Sequence, residues 1–271
     1  MEINRSAWEK VQLARHPKRP TANLVIEAIA PDFIELKGDR LFANDEAIVG
    51  GIGTVGGIVM TIITEEKGTT LEEKIKNHFG MPHPEGYRKA MRLVKQAEKF
   101  NRPVLFLIDT PGAYPGIEAE ARGQAEAIAS LLRLLFGLKT PIMSVVLSEG
   151  GSGGALAIGI CDYLIMFENA TYSILSPEGF AAILYKDASL AKDVAKDMKL
   201  TAQDLYDYKI IDEIIEEQNG GWHMDNKSPI DALKKTIVKQ MKSLVKIDKQ
   251  TLLENRRLKY RIHGVFLEAK E

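Results

Sequence analysis

Ile142-Met143-Ser144-Val145-Val146-Leu147-Ser148-Glu149-Gly150-Gly151-Ser152-Gly153-Gly154-Ala155 is the stretch on which the fold turns. The apolar run Ile142 to Leu147 reads as a strand buried on both faces. Glycines end it, and Ala155 to Ile160 reads as a short apolar helix. Upstream, Pro103 precedes a second such run, Val104 to Ile108, which stops at Asp109-Thr110-Pro111-Gly112. A helical pattern, Glu118 to Phe136, lies between the two. Tyr163 to Phe167, Tyr172 to Leu175 and Ile210 to Ile215 add strand-like segments, so strands alternate with helices through βαβ-type crossovers and the class is α/β.

Working toward the N-terminus, Glu85 to Phe100 has helical periodicity, and a lysine-rich polar segment covers Glu65 to Asn77. Ala47 to Thr64 is uncharged and near the length of a membrane span. Gly56-Gly57 divides it into Ile48 to Val55 and Ile58 to Ile63, a β-hairpin pattern. The first forty residues read as amphipathic helix broken at Pro17, Pro20 and Pro31, with Thr21 as an N-cap. Toward the C-terminus, two long amphipathic segments follow, Pro229 to Val245 and Lys249 to Glu268. The expected division is an N-terminal helical segment, 1–46, an α/β core, 47–220, and C-terminal helices, 221–271.

Composition narrows the function. With 271 residues, 36 Lys+Arg against 37 Asp+Glu and 45% hydrophobic residues, the chain suits a globular fold and shows no global nucleic-acid signal. Cys161 is the single cysteine, which excludes an intrachain disulfide and a zinc site needing two cysteines. Polar residues 1–10 do not resemble a signal peptide, and a cytoplasmic setting is expected. The five histidines show no metal-ligand spacing, and no metal ligands are assigned.

Three patterns carry chemistry. Gly51-Ile52-Gly53-Thr54-Val55-Gly56 matches the dinucleotide fingerprint, but a strand follows where that motif needs a helix. Gly150-Gly151-Ser152-Gly153-Gly154 matches a nucleophile elbow; Ser152 would then attack, with Asp212 and His223 or His263 as partners. Alternatively, the glycines present unpaired N–H groups of a helix start as an oxyanion hole, or simply allow a tight turn. Asp109-Thr110-Pro111-Gly112-Ala113-Tyr114-Pro115-Gly116 ends the preceding strand, so both loops could line one site beyond the strand ends. Lys67, Lys74, Lys76, Arg88, Lys89 and Arg92 form a locally basic stretch, read either as a solvated face or as a partner for phosphates.

Gly38-Asp39-Arg40, Ala47 to Gly51, Asn77 to Pro82, Pro84 to Ala90, Ile108 to Gly116, Glu149 to Gly159 and Ser176-Pro177-Glu178-Gly179, in that order, resemble the alpha-subunit family of bacterial acetyl-CoA carboxylase carboxyltransferases, over about residues 8–220. The resemblance implies a crotonase-like (ClpP/crotonase) spiral of β-β-α units with peripheral helices. It implies transfer of a carboxyl group from carboxybiotin, on the biotin carboxyl carrier protein, to acetyl-CoA, giving malonyl-CoA for fatty-acid biosynthesis. An α2β2 heterotetramer with a zinc-bearing beta subunit, and biotin carboxylase in the wider complex, are the implied partners, with no cofactor bound covalently to this chain. By the implied mechanism the freed ureido nitrogen takes the acetyl proton, so no protein base is needed. Carried over, Gly153 and Gly154 are the catalytic N–H donors to the ureido oxygen. Gly150, Gly151, Ser152, Gly112, Ala113, Tyr114, Pro115 and Gly116 are the expected substrate-binding residues. The alternatives are a serine hydrolase using Ser152 and a non-catalytic acyl-CoA or assembly module.

Overall fold

The computed structural model describes residues 5–218 and 220–264. Eight strands form one mixed sheet: β1 (Ile34–Glu35), β2 (Ile48–Val55), β3 (Ile58–Glu65), β4 (Val104–Thr110), β5 (Ile142–Gly151), β6 (Tyr163–Phe167), β7 (Thr171–Ser173) and β8 (Glu213–Ile215). Their order is β1-β2-β3-β4-β5-β6-β8, with β7 beside β5. The β1/β2 and β2/β3 pairs are antiparallel and the later pairs parallel. The uncharged stretch is thus the β2–β3 hairpin, turning at Gly56-Gly57, both at positive φ. Among the described residues no helix is long and apolar enough to cross a membrane.

The helices before the site are α1 (Ala7–Ala14), α2 (Ala22–Ile29), α3 (Leu71–Lys76), α4 (Pro84–Lys99), α5 (Ile117–Ala121) and α6 (Gln124–Gly137). Those from the site onward are α7 (Ser152–Ala157), α8 (Pro177–Tyr185), α9 (Ala191–Val194), α10 (Ala202–Asp207), α11 (Lys227–Leu244) and α12 (Lys249–Arg261). Both faces of the sheet are covered: Val25, Ile29, Leu233 and Ile237 join Leu105, Leu107, Val145, Leu131 and Leu135 in one buried cluster. That explains why β4 has every residue buried and why its Val104–Ile108 part reads as an unbroken apolar run.

Several boundaries differ from expectation. The helix expected over Glu118 to Phe136 is two, because Gly123 adopts φ 84° between α5 and α6. Strand β5 continues through Gly150 and Gly151, held extended by pairing with β7, and α7 begins at Ser152 and ends at Ala157 instead of spanning Ala155 to Ile160. Thr21 occupies the N-cap of α2, but its side chain makes no capping hydrogen bond. The strand expected over Tyr172 to Leu175 is Thr171–Ser173, and that over Ile210 to Ile215 shortens to Glu213–Ile215. The end of the Lys249 to Glu268 segment, past 264, lies outside the described residues, as does Asn219.

Helix α12 is anchored by Arg256, which is fully buried. Its guanidinium donates to both carboxylate oxygens of Asp162 (2.8 and 2.7 Å) and to the carbonyls of Leu135, Leu138 and Thr140. Asp162 in turn accepts the N–H of Ile142, where β5 starts.

Candidate active site

At the opposite, C-terminal ends of β4 and β5 lies a cleft of about 710 Å³. Its walls come from the loop after β4 (Pro111, Gly112, Ala113, Pro115), the β5–α7 junction (Glu149, Ser152, Gly153) and the entry to α8 (Leu175, Ser176, Glu178), completed by Arg15, Met81 and Ile128. Ligand sites of open α/β sheets gather beyond strand carboxyl ends, and this cleft obeys that rule.

The two loops touch through their backbones. A Cβ on Gly151 would lie 2.1 Å from the Pro111 carbonyl oxygen, and one on Gly154 would lie 2.7 Å from the Ala113 nitrogen. Neither position admits a side chain without moving the other loop. A Cβ on Gly153, by contrast, would meet only Ile128 Cδ1, at 3.8 Å. Thr110 Oγ1 accepts the Gly112 N–H and donates to the Gly112 carbonyl, fixing the start of the loop. Ser152 sits at φ 53°, a strained value for a residue with a side chain, where the strand turns into the helix. The N–H groups of Ser152, Gly153 and Gly154 occupy the first turn of α7 and lack the carbonyl four residues back that later helix positions have.

Under the junction runs a chain of charges. Lys67 Nζ lies 2.7 Å from Asp109 and 2.9 Å from Glu149. Arg15 joins Glu149 (2.7 Å) to Glu178 (2.7 Å). Burial pushes the Glu149 carboxyl up, but Lys67 and Arg15 outweigh it and hold the group below its ordinary value. Asp109 ends above its ordinary value, because its burial is more complete than Lys67 can offset. Behind Asp109, Glu65 is fully buried with neither carboxylate oxygen hydrogen-bonded. Burial, and then the charge of Asp109, push its pKa well above its ordinary value.

Of the residues expected at the site, Gly112, Ala113, Pro115, Ser152 and Gly153 line the cleft. Gly150 and Gly151 lie in β5, opposite Tyr172 and Ser173, and Gly154 is packed beneath the 111–113 backbone. Tyr114 turns away from the cleft to stack on His83 at 4.1 Å, and Gly116 is the N-cap of α5. Sequence reasoning missed Arg15, Ile128 and Leu175 as walls. Met81, Glu149, Ser176 and Glu178 appeared there only inside motifs. No local signal could have found Arg15, whose partners lie 134 and 163 residues away.

The hydrolase triad does not assemble. Asp212 accepts from the Leu164 N–H and pairs with Lys259; the His223 ring packs tilted against His16; His263 is exposed past the end of α12. No histidine among the described residues lines the cleft. Four of the six residues of the basic stretch are engaged within the chain, while Lys76 is exposed at 3.8 Å from Glu46. Lys67 is spent on Asp109 and Glu149, Arg88 on Asp39 and Glu85, Lys89 on Asn44 and the Asp45 carbonyl, and Arg92 on the carbonyls of Leu36 and Gly38.

Known proteins match this arrangement. A family described as acetyl co-enzyme A carboxylase carboxyltransferase-like matches residues 3–264. A relative from Geobacillus sp. (strain WCH70), named acetyl-coenzyme A carboxylase carboxyl transferase subunit alpha, is 51% identical over 268 residues, covering 99% of this chain and 82% of its own. One of the same name from Clostridium botulinum (strain Alaska E43 / Type E3) is 53% identical over 259 residues, covering 96% and 94%. Among solved structures, transcarboxylase 12S superposes with a TM-score of 0.65 at 16% identity, over 100% of this chain and 48% of that one. The beta subunit of P. aeruginosa geranyl-CoA carboxylase gives 0.65 at 17%, over 91% and 48%. This chain spans about half the length of those solved chains, whose shared fold is the crotonase-like one. By sequence and by fold alike, the chain belongs to the acetyl-CoA carboxylase carboxyltransferase family, among the alpha subunits.

Proposed function

We propose that this chain is one half of an acetyl-CoA carboxyltransferase, moving the carboxyl group of carboxybiotin, presented by the biotin carboxyl carrier protein, to acetyl-CoA to give malonyl-CoA. The observation that carries the reading is the cleft itself. Helix-start N–H groups border it at Gly153, its other walls are mostly apolar, and it contains no histidine for acid–base work. Met81, Pro111, Ala113, Pro115, Ile128 and Leu175 suit the hydrocarbon part of a biotin ring system. Gly153 leaves room beside them.

Carboxybiotin supplies the carboxyl group and the proton acceptor. The chain's own part is to hold and polarise. The N–H groups of Gly153 and Gly154 donate to the ureido oxygen, where negative charge builds, and the apolar wall keeps water from competing for them. The Pro111–Ala113 backbone, wedged against Gly151 and Gly154, keeps those donors aimed. The thioester half of the site, and the zinc, belong to a beta subunit in an α2β2 assembly working in the cytoplasm for fatty-acid synthesis, with biotin carboxylase in the wider complex.

The test reconstitutes the purified chain with a zinc-bearing beta subunit. Malonyl-CoA-dependent carboxylation of biotin should need both chains, and Ser152→Ala should retain most of it. Covalent labelling of Ser152 by a fluorophosphonate with parallel inactivation would return the serine hydrolase reading. Acyl-CoA binding with no transfer after reconstitution would leave a non-catalytic module.

A further inference from the structure

Between α3 and α4 the chain makes a turn with three successive residues at positive φ: His78 (49°), Phe79 (55°) and Gly80 (79°). Two of the three carry side chains, for which this region is unfavourable, so the surrounding structure holds the turn against its local preference. Hydrogen bonds from Gly80 N–H to the Asn77 carbonyl and from Met81 N–H to the His78 carbonyl close it. The outcome is that His78 folds back onto His83, ring centroids 4.2 Å apart.

Asp45 approaches the same point from the loop before β2. It is buried, and its two carboxylate oxygens accept the N–H groups of Ala47 and His83, which leaves each oxygen a further lone pair. One ring nitrogen from each histidine and one oxygen of Asp45 all lie within 4.8 Å of one another. Among the described residues no hydrogen bond engages a ring nitrogen of His78 or His83. Glu118 Oε1 stands 4.0 Å from His83 Nε2, on an exposed side chain able to approach.

We infer that Asp45, His78 and His83 bind one divalent transition-metal ion of the zinc class, with Glu118 or water in the remaining position. Two imidazoles and a carboxylate suit zinc and its neighbours, whereas magnesium and calcium prefer all-oxygen shells. Ligand atoms about 2 Å from a tetrahedral ion sit roughly 3.3 Å apart, so the ligand atoms, now within 4.8 Å of one another, close in by up to about 1.5 Å on binding. His83 stacks on Tyr114, and the Tyr114 N–H bonds the Pro82 carbonyl, so the ion would tie this turn to the loop that walls the cleft. The inference concerns binding and stands apart from the reaction proposed above.

The experiment uses the full chain, stripped with a chelator and titrated with zinc by calorimetry, then with cobalt for its visible absorption. One zinc per chain is expected, with a melting temperature raised by several degrees. His78→Gln and His83→Gln should each weaken binding by at least about tenfold and abolish that rise, while the metal-free variants melt close to the metal-free parent. His16→Gln, at the other histidine pair, should change neither. Absence of stoichiometric binding would overturn the site, and so would binding that survives the His78→Gln/His83→Gln double variant or disappears with His16→Gln. If a Gln variant is unstable, the cobalt spectrum of the parent decides the question: mixed nitrogen and oxygen ligation supports the site, and all-oxygen ligation overturns it.

Discussion

Arg256, fully buried, and Lys67, half-buried, are cations at opposite ends of the parallel strands, and they are matched very differently. Arg256 meets one carboxylate and three carbonyls, and Asp162 shares its remaining capacity with the start of β5. Charge is balanced there, one against one, and every donor direction is used. Lys67 faces Asp109 and Glu149 together, Glu149 leans also on Arg15, and Glu65 waits behind with no partner. The first cluster only fastens a helix to the sheet. The second carries more acid than its cations neutralise, beside a cleft, which is where shifted carboxyl groups tend to serve function.

Removing one member should expose the difference. Arg256→Met would strand Asp162 and three carbonyls in the interior, and a loss of about 3–5 kcal/mol in chemical denaturation is expected. A loss below about 1 kcal/mol would show that the anchor is not tight. Lys67→Met should cost about 3 kcal/mol near pH 8 and less near pH 5, because without the lysine Asp109 and Glu149 become harder to ionise and low pH relieves them. A flat pH response would mean that low pH does not relieve the carboxylates left behind at the cleft.

The glycines divide the cleft cluster's neighbourhood more finely. Gly154→Ala drives a Cβ into the Gly112–Ala113 backbone and should destabilise by about 1–3 kcal/mol. Gly153→Ala has open space and should change stability by no more than about 0.5 kcal/mol, so any fall in transfer by that variant is an effect on the cleft. Equal melting temperatures for the two variants would contradict the packing described. The smallest effect is expected from Glu65→Gln. Because burial raises the Glu65 pKa in the folded chain, its contribution is complete below the unfolded value and is lost as pH rises through the folded one. The amide carries no such penalty, so the variant's melting temperature should gain on the parent's from pH 5 to pH 9. A gap that narrows instead would mean that Glu65 is ionised and paired.

The apolar strands β4 and β5 and the Gly56-Gly57 hairpin were legible because burial on both faces and turn chemistry leave marks within a few residues. The extension of β5 through Gly150 and Gly151 was not, since glycine disfavours strands and only the distant β7 keeps these residues extended. The cleft's glycine loop and proline loop were readable as motifs, yet Gly153 and Gly154 looked alike until backbone contact separated them. Arg15 and Lys67 gave no hint of their roles, because ion pairing across the chain has no period. The meeting of Asp45, His78 and His83 depends on two side-chain-bearing residues at positive φ, which residue preferences argue against.

Arg15 also bears on the order in which the molecule comes together during synthesis. Its partner Glu178 is made 163 residues later. At about 5–20 residues per second, the arginine waits roughly 8–30 seconds after leaving the ribosome's catalytic centre before that partner exists. Through that interval the first two helices have no finished sheet to pack on, and parallel pairing between β4 and β5 must itself wait for the α5–α6 crossover. Closure of the cleft therefore cannot precede synthesis of its Leu175–Glu178 wall, and a shorter nascent chain has no complete pocket to offer any partner.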